Sequence, residues 1–257
     1  MDLFLLDKVA IVTGASRGVG KGIAETLSAE GMKVVLAARS QADLEALATS
    51  LPHEALIQAI DLREPEAAKQ VVAATIGKFG RLDLLVNNAG ATKRGDFLAL
   101  PDDDWTDGFA LKFYGSMRLA RAAWLHLQAA QGTLINIIGI GGRTGSAEFT
   151  IGGAVNAALM NLTKALADRG IRDGVRVNAI NPGSIATERL QTRIKNYAKE
   201  NNIEFEEAAR RMPQQMKIAR FGEPAEIARA VAFLASPQAA YVQGAILDVD
   251  GGATRTL

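Results

Sequence analysis

Short apolar runs rich in β-branched residues recur along the chain, and stretches of helical periodicity separate them. "VAIVTG" (Val9–Gly14) has no polar face and stops at a glycine. "KGIAETLSAEG" (Lys21–Gly31) then reads as a helix with a glycine stop. "KVVLAAR" (Lys33–Arg39), "ALIQAID", "LDLLVNNAG", "TLINIIG", "VRVNAINPG" and "GAILDVDGG" repeat the strand theme. "QADLEALATSL" and "PEAAKQVVAATIGKFG" repeat the helical one, the latter opening on Pro65 and closing on Gly80. Pro is favoured in a first helical turn and Gly just past the last. The strand runs are nearly continuous in apolar residues rather than alternating, as a parallel sheet covered on both faces requires. Strand–helix alternation predicts βαβ units and an α/β, doubly wound parallel sheet in one domain spanning residues 1–257. Only residues 188–222 break the rhythm, with the charged helical stretch "ERLQTRIKNYAKENNIEFEEAARRM". They are expected to form a helical lid over the strand ends.

Composition narrows the class. A chain of 257 residues that is 48% hydrophobic can fill one large core. Its formal net charge of +1, with no basic run, gives no reason to expect nucleic acid or an acidic membrane surface as partner. The absence of cysteine excludes disulfides, thiolate catalysis and cysteine metal sites. His53 and His126 are far apart and lack ligand spacing, so both read as structural or surface residues and no metal is expected. "MDLFLLDKVAIVTG" has no basic leader region, and Asp7 and Lys8 break its apolar run, so it does not read as a signal peptide. No apolar stretch approaches the roughly 20 residues that span a bilayer. The expectation is a soluble cytoplasmic protein acting on a small molecule.

The first candidate chemistry is "TGASRGVG" (Thr13–Gly20), between the first strand and the first helix. Gly14 permits a tight turn, and Gly18 and Gly20 allow close approach of backbone to a pyrophosphate and of helix to strand. The helix start offers free N–H groups and the positive end of its dipole. Gly14, Ser16, Arg17, Gly18, Val19 and Gly20 are therefore the expected phosphate cradle. An acidic residue ending the second strand would bind an adenosine ribose; this chain has Arg39 and Ser40 there, with Arg17 in the glycine turn. Two guanidiniums suit a 2′-phosphate through charge-assisted bonds, which favours NADP(H) over NAD(H).

With "TGASRGVG", "NNAG" (Asn87–Gly90), "NPGSIAT" (Asn181–Thr187) and "LDVDGG" (Leu247–Gly252) in this order and spacing, the chain resembles the short-chain dehydrogenases/reductases over essentially its whole length. The resemblance implies a Rossmann-type, seven-stranded parallel sheet, a homotetramer or homodimer, and hydride transfer between NAD(P)(H) and an alcohol or carbonyl. Carried over, Asp61 and Leu62 would contact the adenine. Asn88, Ala89 and Gly90 would line the adenosine ribose side. Pro182, Gly183, Ile185 and Thr187 would hold the nicotinamide and its carboxamide.

The family's catalytic Asn, Ser, Tyr and Lys are not at their positions. The flanking sequence aligns Lys112 with the Asn, Gly139 with the Ser, Gly152 with the Tyr and Asn156 with the Lys. No Tyr lies between Gly115 and Gly183, so no local shift restores a Tyr-x-x-x-Lys pair. Lys112 is the first replacement candidate for the proton donor, because a desolvated lysine has its pKa drawn toward neutrality; an exposed helix lysine is the alternative. Tyr114 is the second, with simple packing as its alternative. Asn156 could keep a ribose hydrogen bond while losing the charge. Arg143 could bind a substrate carboxylate or could be a solvated loop residue. Three readings stay open: an NADP(H)-dependent oxidoreductase with a non-standard donor, a nucleotide-binding pseudoenzyme or subunit, and a lyase, isomerase or hydrolase reusing the cleft.

Overall fold

A computed structural model describes residues 2–255. Its seven strands are β1 Val9–Thr13, β2 Lys33–Ala38, β3 Ala55–Ala59, β4 Leu84–Asn87, β5 Thr133–Ile137, β6 Arg176–Pro182 and β7 Ile246–Val249. They form one parallel sheet in the order β3-β2-β1-β4-β5-β6-β7. The order reverses between β1 and β4, which pair Ala10↔Leu84, Ile11↔Leu85 and Val12↔Val86. Open α/β sheets hold their ligands outside the carboxyl ends of the strands at such a point.

The apolar runs are strands because both faces are covered. All five residues of β1 are buried. Ala10 and Val12 join one core with Leu27 and Val231, while Ile11 joins a second with Val71 and Leu127. Helices α1 (Gly18–Ala29), α2 (Gln41–Ser50) and α9 (Pro224–Ala235) pack on the first face. On the other face lie α3 (Ala67–Phe79), α5 (Ser116–Ala130) and α6 (Thr150–Asp173). Gly80 ends α3 in the left-handed region, as the sequence predicts.

Three local features matter for the site. Helix α6 starts at Thr150, so Gly152, Gly153 and Asn156 are helical. Between α4 (Asp102–Phe109) and α5 the chain widens into a π-helical stretch, Ala110–Gly115, which carries Lys112. Such widened turns are rare and frequent at functional sites. The charged stretch folds as α7 (Glu188–Glu200) and α8 (Phe205–Gln215), sealed by its own apolar cluster of Leu190, Ile194, Ala198, Ala208 and Met212. A bridge between Ile185 and Gly222 ties the two ends of this insertion together.

Candidate active site

The glycine turn is shaped by contacts that leave no room for side chains. Gly14 has φ +65°, in the left-handed region. A Cβ on Gly20 would stand 2.2 Å from the Gly14 carbonyl oxygen and 2.5 Å from Asn88 Nδ2. Asn88 locks the two loops together: its Nδ2 donates to the Thr13 carbonyl at 2.8 Å, and its backbone N–H donates to Thr13 Oγ1 at 2.8 Å. The Ala89 N–H donates to the same hydroxyl at 2.9 Å. Arg17 precedes α1 without a side-chain cap, and no acidic residue stands in the first turn. The helix start is therefore open to an anion, and its backbone fits a dinucleotide pyrophosphate.

The remaining candidate cofactor residues surround this turn. Gly18 lies beside Thr187, at which α7 begins. Arg17 is exposed and reaches Glu188 at 3.9 Å. Arg39, also exposed, directly follows β2, and next to it the Ser40 hydroxyl accepts from the Asp43 N–H at 3.4 Å and caps α2. Asp61 is held by Arg63, whose Nη1 donates to it at 3.3 Å. The Leu62 side chain is buried in the core, so only its backbone faces outward chemistry. Gly183 donates to the Val249 carbonyl at 3.1 Å, and Ile185 is buried. Ser16, Val19, Gly90 and Pro182 are half-buried.

The second half of the site centres on Lys112. Its Nζ donates to the Ile138 carbonyl oxygen and, at 2.6 Å, to Asn156 Oδ1. Its aliphatic stem lies on Gly90, where a Cβ would stand 2.9 Å from Lys112 Cδ. Burial, and then the charge of Arg189, pulls the Lys112 ammonium down to about 7. Asn156 Nδ2 donates to the Gly139 carbonyl at 3.4 Å, and the Gly139 N–H donates to Asn181 Oδ1 at 3.3 Å. Gly139 has φ +129°, a conformation that side chains disfavour. Over Gly152 lies the Phe149 ring: a Cβ there would be 2.0 Å from Phe149 Cζ.

The other candidates point elsewhere. Tyr114 is exposed, with its ring edge on Phe113 and the Arg118 guanidinium 5.6 Å from its centroid. Arg143 is committed to β7: its Nε donates to Asp248 Oδ1 at 3.1 Å and its Nη2 to the Ile246 carbonyl at 3.3 Å. That pairing differs from both readings of Arg143, as a substrate-carboxylate binder and as a solvated loop residue. Two residues have no place in the sequence reading, Arg94 and Phe149. The Arg94 guanidinium stacks on the Phe149 ring at 4.2 Å. Phe149 stands at the cap position just before α6, three residues ahead of Gly152; nothing local marked Arg94.

Among the described residues, no group of three or more His, Cys, Asp or Glu could hold a metal ion. No helix among them is long and apolar enough to cross a membrane.

A family model described as enoyl-(acyl carrier protein) reductase matches residues 14–254. The chain is 36% identical to 3-oxoacyl-(acyl-carrier-protein) reductase FabG of Vibrio cholerae over 246 residues, covering 95% of this chain and 96% of the relative. It is 34% identical to meso-2,3-butanediol dehydrogenase of Serratia marcescens, covering 96% and 95%. Among solved structures, L-sorbose reductase from Gluconobacter frateurii, complexed with NADPH and L-sorbose, superposes with a TM-score of 0.95. That match has 34% identity and full coverage of both chains.

Proposed function

The chain belongs to the short-chain dehydrogenase/reductase family, and from that premise we propose an NADP(H)-dependent oxidoreductase in which Lys112 handles the proton. The substrate is a carbonyl compound or the corresponding alcohol. When bound, the nicotinamide supplies or accepts the hydride. The glycine turn and the start of α1 seat the pyrophosphate, Arg17 and Arg39 take the 2′-phosphate, and Asn156 with the Pro182–Thr187 loop orients the nicotinamide half. Helices α7 and α8 act as a lid, and the protein works as a homodimer or homotetramer.

The observation that carries the donor assignment is the setting of Lys112: two buried-side acceptors for its Nζ and a pKa of about 7. An ammonium has three N–H donors. The Ile138 carbonyl and Asn156 Oδ1 occupy two of them, which leaves one for a substrate oxygen. After transfer the neutral amine keeps both held N–H groups and gains a lone pair in the third direction. Reduction therefore uses the charged form as general acid, and oxidation uses the neutral form as general base. A group that titrates near the working pH serves both directions. Asn156 positions the amine without adding a second cation, which at this spacing would compete with Lys112 for charge.

The test is turnover of NADPH against a carbonyl panel by the intact protein and by Lys112→Ala, with NADPH affinity measured by fluorescence titration. Retained affinity with a collapse in turnover is expected. Full turnover in Lys112→Ala removes Lys112 from the role. Tight NADPH binding without hydride transfer in the intact protein would make it a nucleotide-binding subunit instead.

A further inference from the structure

Four cationic side chains converge on the mouth of this cleft. Arg94 stacks on Phe149, which covers Gly152. Arg189 of α7 donates from Nη2 to the Gly90 carbonyl at 3.2 Å, and the opposite side of Gly90 carries the Lys112 stem. Arg193 follows Arg189 by one helical turn and is half-buried. Elsewhere on the molecule Arg63, Arg81, Arg143, Arg169, Arg211 and Arg220 each pair with a carboxylate. None of Lys112, Arg94, Arg189 and Arg193 has a carboxylate within 4.0 Å among the described residues. Burial, together with the neighbouring Arg94 charge, holds the Arg193 guanidinium below its ordinary value. Burial does the same to Arg94, where Glu148 opposes and Arg189 adds to the shift.

Arg193 is half-buried while Arg94 and Arg189 stand exposed at the rim, and like charges that face one another repel in the empty site. An anion placed among them offsets that repulsion, and guanidiniums hold carboxylates in a planar, two-pronged geometry. We propose that Arg94, Arg189 and Arg193 form an anion subsite, and that the carbonyl substrate carries a carboxylate or similar anionic group seated there. The assignment rests on the reading of Lys112 as the proton donor, since it orients the substrate with its carbonyl toward that amine. The cofactor's own diphosphate is the other source of negative charge at this end, through Arg189 beside the Thr187 loop.

Paired substrates separate these possibilities: 3-oxobutanoate, 4-oxopentanoate and 5-oxohexanoate, each against its methyl ester, with NADPH as reductant. The intact protein is expected to favour at least one acid over its ester. In Arg193→Met and, separately, in the more exposed Arg94→Gln, that kcat/KM ratio should fall about tenfold or more, the scale of one charge-assisted contact. NADPH Kd should stay within about twofold. Equal turnover of acids and esters by the intact protein overturns the proposal, as does a ratio that both variants leave unchanged. A loss confined to NADPH Kd assigns the cluster to the cofactor and likewise overturns it. If no member of the panel is reduced, saturable binding of malonate to the NADP⁺-loaded protein, weakened in both variants, supports the subsite. Absence of malonate binding overturns it. Failure of the donor reading looks different: Lys112→Ala would turn over normally while the acid preference persists.

Discussion

At the end of the cleft proposed for the dinucleotide, the fitted parts are mostly backbone. Asn88 is hydrogen-bonded to Thr13 at 2.8 Å, and a Cβ on Gly20 would stand 2.2 Å from the Gly14 carbonyl oxygen, with no titrating group in the set. At the other end, side chains do the work. Lys112 Nζ, Asn156 and the Gly139 backbone form a chain of hydrogen bonds around a group that titrates near 7. Backbone sites tolerate few substitutions because their glycines have no room for a Cβ. A side-chain site can be rebuilt with other residue types while the scaffold stands. On the proposed reading, one family fold carries a backbone cofactor cradle beside a lysine proton donor.

The sharpest way to break that contrast is to remove the donor alone. Lys112→Met should lower turnover by about 10²–10⁴, the usual worth of a general acid, with NADPH affinity retained. Next comes pH. On the proposed mechanism reduction uses charged Lys112, so kcat/KM for the carbonyl should be level below pH 7 and fall about tenfold per unit above it. The reverse oxidation should rise through the same pH. A reductive profile flat from pH 6 to 9 would assign the proton to water. At the opposite end, Arg39→Asp should shift preference from NADPH toward NADH by about tenfold or more, with no change in the pH profile. The smallest effect is structural. Gly152→Ala should cost about 1–3 kcal/mol by crowding Phe149, a Tm loss of several degrees. In a Phe149→Ala background the same change should cost less, and that coupling is readable in a double-mutant cycle.

The sheet was legible because β1, β2, β4 and β5 are buried on both faces and so leave continuous apolar runs. The glycine turn was legible because its φ requirement admits few residues. Lys112 could be placed by counting from Trp105 and Gly115, but its hydrogen bonds depend on the π-helical turn, which no periodicity announces. Arg143 shows the converse. Its residue type suits a carboxylate, and it finds one in Asp248, 105 positions away, where sequence proximity says nothing. Arg94 and Arg193 meet only because the loop after β4 and helix α7 close over the same strand ends. Charge clusters built from distant segments are invisible until the chain is folded.

The Phe149 ring over Gly152 also constrains which neighbouring sequences this protein can reach one mutation at a time. A tyrosine arriving at position 152 collides with that ring before it can act. Removing the ring first strips the platform on which Arg94 rests. The two positions are therefore coupled through one ring, and a change at either is expected to alter what the other tolerates.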